Sequence, residues 1–235
     1  MVAVPEMPED PAGFAGTLAA AGYFEGLRNT EEDRSRCGMY KANAARMELQ
    51  QATTDIGSYL QSLRMRMTAA PIDHLSLARV TQLISKTNQF NLTTVRLSEA
   101  EVCAKVRDPR FVTLQVRLAD RFGDNGVIAV MMARVNGEEA VVEEWLMSCR
   151  VLGRRVEEAC LNALVEACSA SGARRLIGLY RPTKKNTMVR GMYASLGFMR
   201  LAEEADGSSR WAMELAGFVP RVVPIEVDVM REAMV

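Results

Sequence analysis

Trp145-Leu146-Met147-Ser148-Cys149-Arg150-Val151-Leu152-Gly153-Arg154-Arg155, with the apolar-rich segment that follows to about Ala170, decides the fold of this chain. The run up to Arg150 reads as a strand, Val151 to Arg155 as a tight turn around Gly153, and the rest as a helix. A second strand follows at Leu176-Ile177-Gly178-Leu179-Tyr180, then a loop Arg181 to Lys185, then a helix from Asn186 that stops at Gly197-Phe198. A strand that runs through a glycine turn into a helix start presents unpaired backbone N–H groups and the positive end of a helix dipole. That geometry suits a phosphate or pyrophosphate.

Upstream, Val112, Leu114, Val116 and Leu118 alternate with Thr113, Gln115 and Arg117, which predicts a strand with one buried face. Asp124-Asn125-Gly126 predicts a turn into a strand at Val127–Val135, and Asn136-Gly137 a hairpin into Ala140–Met147. Leu77, Val80, Leu83 and Ile84 have helical spacing. The polar run Lys86 to Thr94 is expected to cross from that helix to a first strand at Leu92–Leu97. Ser98 with Glu101 forms a capping box for the next helix. Nearer the start, a short strand at residues 2–10 precedes a helix capped by Asp10 and ending at Ala21-Gly22. A polar helix then runs from Thr30 to about Gln51, and a third follows Thr54-Asp55. Trp211 to Leu215 reads as a returning strand, and the valine-rich tail after Pro220 as an edge strand.

Length and composition set the outer limits. The 235 residues are about half hydrophobic, with 29 basic and 29 acidic side chains, so the formal net charge is zero. This balance argues against a general nucleic-acid binder. The five cysteines (Cys37, Cys103, Cys149, Cys160, Cys168) are odd in number and lack C-x-x-C spacing. That argues against a disulfide framework or a zinc site and points to a reducing cytoplasm. The opening residues lack the pattern of a signal peptide, and no apolar run approaches the roughly 20 residues that span a bilayer. The expected setting is therefore cytoplasmic, with no membrane, nucleic acid or metal.

Two motifs in the deciding stretch resemble the GNAT acyltransferase superfamily. Arg150-x-x-Gly153-x-Arg155 follows its pyrophosphate turn except at the last position, where Arg155 replaces Gly or Ala. Asn186 to Phe198 follows its N-x₆-Y-x₃-G-F helix. The resemblance implies an α/β fold: a mixed, mostly antiparallel sheet flanked by helices, with an N-terminal helical linker. A narrower resemblance rests on Gln82 to Thr94, Trp145 to Arg154, and Tyr180-x-Pro182-Thr183-x-Lys185-Asn186. These stretches are similar to the C-terminal region of FkbH-like proteins, the subfamily IIIC group of the haloacid dehalogenase (HAD) superfamily. That likeness implies residues 1–71 as the end of a HAD-type domain and helical linker, and 72–235 as a GNAT-like acyltransferase domain. It also implies glyceryl transfer to or from an acyl carrier protein in polyketide extender-unit biosynthesis. A HAD phosphatase-like domain would normally share the chain, although its Asp-x-Asp nucleophile motif is absent from this one. The thioester partner is acyl-CoA or the phosphopantetheine of the carrier protein.

Candidate residues follow. The phosphate and pantetheine set is Met147, Cys149, Val151, Leu152, Gly153, Arg154, Arg155, Asn186 and Tyr193, with the amides of Val151, Gly153 and Arg155 on the pyrophosphate. Asn186 reads either as a pantetheine contact or as a helix cap. Tyr193 reads either as a general acid toward a thiolate or as a core tyrosine. A general base is sought in Glu143 or Glu144, which alternation places on opposite faces of their strand. Cys149 reads as a small core residue or an acyl carrier. Arg154, Arg155, Lys184, Lys185 and Arg190 make a basic rim suited to an acidic carrier protein, or ordinary solvated charge. Two functions stay open: an acyltransferase on pantetheine thioesters, and a non-catalytic domain that docks the carrier protein.

Overall fold

The structure, a computed structural model, describes residues 8–20 and 31–230. The expected strand at residues 2–10 lies mostly outside them, as does the helix end at Ala21-Gly22. The chain divides into two compact units, Met1–Ala45 and Arg46–Val235. In the first, Asp10 caps a 3-10 turn (Pro11–Gly13) by accepting from the Ala12 amide at 2.9 Å, and helix α1 (Phe14–Ala20) follows. Helix α2 (Glu31–Ala52) begins in the first unit, and its last turns, from Arg46, belong to the second.

The second unit is built on an eight-stranded sheet. Its strands are β1 (Met65–Pro71), β2 (Phe111–Asp120), β3 (Gly123–Asn136), β4 (Glu139–Met147), β5 (Arg175–Tyr180), β6 (Met199–Glu203), β7 (Ser209–Glu214) and β8 (Ile225–Val229). The order is β6-β7-β5-β4-β3-β2-β1-β8, with parallel pairing only at β4–β5 and β1–β8. β1 precedes the boundary expected at residue 71, yet it lies inside the sheet, because its alternating Met65, Met67 and Ala69 are all buried. β8 is the edge strand expected from the tail.

Helices cover both faces. On one side α4 (Leu77–Lys86) and α5 (Glu99–Arg107) bury Val80, Leu83, Ile84 and Val102 against Val130, Met132 and Leu146. Each such aliphatic side chain contributes about 1.5–3 kcal/mol on burial. On the other side lie α3 (Ile56–Ser62), α6 (Val156–Ala170) and the short α7 (Met192–Ser195), packed on Val142, Trp145 and Met147. The Ser98–Glu101 capping box forms as expected, and Gly137 turns the β3–β4 hairpin at φ 60°.

Three local expectations are corrected. The chain turns into β3 at Arg121-Phe122, and Asp124-Asn125-Gly126 lies within the strand beside a register shift. The segment Leu92–Leu97 is no strand: the isolated bridge lies just before it, from Asn91 to Leu146. The helix expected from Asn186 is broken into a 3-10 turn (Thr187–Val189) and α7, which starts after Gly191.

Candidate active site

The parallel pairing of β4 and β5 runs from Glu139–Arg175 to Val142–Gly178 and then stops. Beyond it the strands diverge, leaving a wedge with exposed backbone donors and acceptors on both sides, which must find partners. The chain fills this wedge itself. The Leu92 amide donates to the Trp145 carbonyl at 3.1 Å, and the Met147 amide donates to the Phe90 carbonyl at 3.0 Å. On the β5 side, the Arg181 amide donates to the Leu92 carbonyl at 2.8 Å. Phe90 to Thr93 thus sits between the two strand ends as an inserted piece of extended chain.

Asn186 holds this insertion in place. It is fully buried, and its Nδ2 donates to the carbonyls of Asn91 (2.8 Å) and Arg181 (2.9 Å). Its Oδ1 accepts from the Thr183 amide at 2.7 Å and the Thr183 hydroxyl at 3.1 Å. Both of its donors and its acceptor are therefore used. Asn186 makes no side-chain helix cap. It is a staple between the loop after β5 and the inserted segment.

The two glutamates do not alternate as expected. Met132 faces Glu144 and Ala133 faces Val142, so Glu143 has no partner across the ladder and β4 carries a bulge there. An extra residue in one strand resets the alternation, and both carboxylates emerge on the face covered by α4 and α5. Glu143 is held by ion pairs: Lys105 Nζ at 2.5 Å and Arg134 Nε at 2.8 Å. Burial works to raise its carboxyl, but these cations outweigh burial and hold it below the ordinary value. Glu144 is only 1% exposed, and its Oε2 lies 3.2 Å from the Thr93 hydroxyl. Loss of solvent raises its carboxyl to about 7, against the weaker opposing pull of Thr93 and Lys105. The bulge therefore yields one ion-paired carboxylate and one buried carboxyl poised near neutrality.

Tyr193 is 1% exposed, and its hydroxyl has no hydrogen-bond partner. The Leu179 backbone lies near it without hydrogen-bond geometry, and burial pushes the hydroxyl well above its ordinary value. Its ring sits edge-on to Trp145 (6.3 Å) and Phe198 (4.9 Å) and lies directly over Gly178.

In the glycine turn, the Val151 amide is used by the Ser148 carbonyl at 3.3 Å, and the Leu152 amide by the Cys149 carbonyl at 3.4 Å. These bonds close a 3-10 turn (Cys149–Val151), so neither amide is open to a phosphate. The amides of Gly153, Arg154 and Arg155 make no backbone hydrogen bond among the described residues. Gly153 has φ 74°, a conformation that favours glycine, and no atom lies within 4 Å of where a Cβ would stand. Arg155 adopts φ 61° ahead of α6, and its guanidinium pairs with Glu158 through two 2.7 Å contacts. It therefore leans along α6.

Arg154 leaves the expected basic rim. It is 8% exposed, and its Nη1 lies 3.1 Å from Asp120, which also receives Arg46 at 2.8 and 2.9 Å. This buried cluster ties the turn to the end of β2 and to the last turns of α2. Arg190 lies near Glu203, at 3.3 Å.

Beside the turn, a cleft of about 770 Å³ opens at the end of β4, with Met147, Ser148 and Cys149 on its floor. Its walls carry Lys86, Lys184 and Lys185 and no carboxylate, so its field favours an anion. Cys149 is exposed here, whereas the Cys160 and Cys168 thiols are buried and pushed up, that of Cys168 to about 12. Neither Thr93 nor Asp120 carries a direct sign in the sequence. The amide and hydroxyl density of Lys86 to Thr94 was the available signal, since such side chains satisfy irregular backbone.

Among the described residues no group of His, Cys, Asp and Glu could hold a metal ion, and no helix is long and apolar enough to cross a membrane. No protein-family model matches the chain, and no curated protein matches it. Solved structures do resemble it. The GNAT domain of a protein from S. lividans named PAT superposes with a TM-score of 0.50 at 18% identity, over 62% of this chain and 89% of that one. The PaiA N-acetyltransferase from Thermoplasma acidophilum, solved in complex with coenzyme A, gives 0.50 at 8% identity over 63% and 98%. A domain from Methanocaldococcus jannaschii gives 0.50 at 11% identity over 64% and 99%. The chain has the GNAT fold.

Proposed function

We propose that this chain binds a pantetheine thioester in the cleft at the end of β4 and transfers its acyl group, with Glu144 as general base. The observation that carries this reading is the juxtaposition at the wedge. Glu144, its carboxyl raised to about 7, stands three residues before Met147, where β4 ends at a cleft walled by lysines, and the glycine turn follows in the chain. A base titrating near neutrality is suited to removing a proton from an acceptor nucleophile. The amides of Gly153 to Arg155 and the three lysines are the groups that would hold the phosphate of acyl-CoA or of a carrier-bound phosphopantetheine. Tyr193 remains the proposed proton donor to the departing thiolate, since its buried hydroxyl has no protein partner.

The finer reading follows the likeness to FkbH-like proteins: glyceryl transfer to or from an acyl carrier protein in polyketide extender-unit biosynthesis, beside a HAD phosphatase-like domain. The lysine walls support it, because acidic partners dock on such surfaces. A second reading, non-catalytic docking of the carrier protein, is favoured by the filled wedge and by the full use of Asn186 within the chain.

The pH profile separates the two. For a base raised to about 7, transfer should rise tenfold per pH unit below roughly pH 7 and level off above it. Glu144→Gln should lower turnover by about 10²–10⁴. Undiminished turnover in that variant would remove Glu144 from the chemistry. Carrier-protein binding without any turnover would establish the docking reading.

A further inference from the structure

One side-chain oxygen holds the peptide groups on both sides of Thr93. Asn91 Oδ1 accepts from the Thr93 amide at 3.3 Å and from the Thr94 amide at 2.7 Å. Asn91 is itself fully buried. Its Nδ2 donates to the Thr87 carbonyl at 3.3 Å, and its own carbonyl receives the Asn186 side chain at 2.8 Å. This grip bends the chain: Thr94 stands at φ 56°, in the left-handed region, where a β-branched residue is a genuine outlier. Such strain persists only where the surroundings fix it. Here the Asn91 bond fixes it, together with the Thr94 hydroxyl, which donates to the Thr93 carbonyl at 2.8 Å.

With its backbone held on both sides and a stiff β-branched χ1, Thr93 has little freedom in where its hydroxyl points. That hydroxyl lies 2.9 Å from the carbonyl of Glu143, the bulged residue of β4, and 3.2 Å from Glu144 Oε2. It donates to both in a three-centre bond. Among the described residues this is the single hydrogen bond to the Glu144 carboxyl. We propose that Asn91 is a positioning residue for Glu144, acting through Thr93: it sets the hydroxyl that fixes Oε2 and so leaves Oε1 to face the acceptor nucleophile. The role rests on the acyl-transfer reading, in which Glu144 is the base. A carboxylate free to rotate would have to be ordered in each turnover, at a cost in side-chain entropy. In this chain the Asn186–Asn91–Thr93 line meets that cost on folding, with the inserted segment in place throughout.

Carbon NMR of the glutamate carboxyls in the ligand-free chain reads this bond, with the Glu144 signal identified by its absence in Glu144→Gln. A hydroxyl that donates to a carboxylate favours the charged form, so losing the Thr93 bond raises the Glu144 midpoint. Thr93→Val keeps the shape and should raise it by about one pH unit; Asn91→Ala should do the same with Thr93 still present. Asn91→Ser, whose hydroxyl accepts from the same amides more weakly and serves the fold where Ala cannot, should raise it by part of that amount. Thr93→Ser keeps the donor and should hold the wild-type midpoint. The other groups facing Glu144 are the same in every variant: Lys105 of α5, Glu143 beside it, Arg181 after β5, and apolar Met132 on β3. In transfer assays kcat should fall about ten- to a hundredfold in Thr93→Val and Asn91→Ala, while KM stays within about twofold. A midpoint unmoved in Thr93→Val, or moved there but in neither Asn91 variant, overturns the proposal. The titration contains no thioester, so the two readings fail separately. Acyl transfer with unmoved midpoints sinks only the positioning role. Shifted midpoints in a chain that transfers no acyl group sink only the proposed function.

Discussion

Replacing Asp120 with Asn tests what fixes the glycine turn. The Asp120 side chain is fully buried and receives Arg46 through two contacts and Arg154 through one; the Phe122 amide (2.9 Å) and Asn125 (3.3 Å) bond it as well. Burial acts to raise this carboxyl, yet the Arg46 and Phe122 hydrogen bonds prevail and hold it below its usual range. Asn preserves the shape but removes the buried negative charge that Arg46 and Arg154 share. Removing one partner of a buried ion pair costs about 3–5 kcal/mol. With a urea slope of about 3 kcal/mol per molar for a unit of this size, the midpoint should fall by about 1–1.7 M. Arg154→Met leaves the Arg46–Asp120 pair intact and should cost less, about 1.5–3 kcal/mol. Because the carboxyl is depressed, its contribution is present above pH ~4 and is lost as pH falls through the folded value. The gap between wild type and Asp120→Asn should narrow accordingly at low pH. The assay is equilibrium urea unfolding at pH 7 and at pH 3. A loss below about 1 kcal/mol at pH 7 would refute the idea that this cluster is a buried ion network holding the turn.

Two further substitutions test the aromatic wall of the wedge. Gly178→Ala would place a methyl 2.4 Å from Tyr193 Cε1 and should destabilise by about 1–3 kcal/mol. Combined with Tyr193→Ala, the losses should fall short of additive in thermal unfolding, and full additivity would show that the ring does not block the position. Tyr193→Phe removes a hydroxyl with no protein partner, so stability should hold or rise by up to about 1 kcal/mol. If that hydroxyl protonates the thiolate, turnover falls in the same variant while thioester binding stays; unchanged turnover removes Tyr193 from the mechanism.

How much of this was legible depends on whether local pattern or tertiary context decided each element. The β2–β3–β4 meander was readable because one face of each strand is buried and Asn136-Gly137 suits a left-handed turn. So were α6 and β5, whose apolar runs are bounded by glycine at both turns. The Glu143 bulge was not, since alternation assumes an unbroken ladder and nothing in Glu143-Glu144 marks the extra residue. In sequence the inserted segment reads as the approach to a strand because it is polar and short. Its backbone bonds are divided between β4, the end of β5 and the Asn186 amide, a distribution that only tertiary structure creates. Arg154 and Arg155 look alike in sequence, yet one enters a buried ion cluster and the other pairs along a helix. Charge alone could not separate them.

The most direct measurement is calorimetric titration of the chain with acetyl-CoA and, separately, with holo acyl carrier protein, each repeated on the Lys184→Glu/Lys185→Glu variant. The account predicts saturable binding of at least one of these pantetheine-bearing partners, with affinity reduced at least tenfold when these two of the three lysines of the cleft are reversed. Absence of binding to both partners, or binding indifferent to the reversal, would contradict the assignment of this cleft.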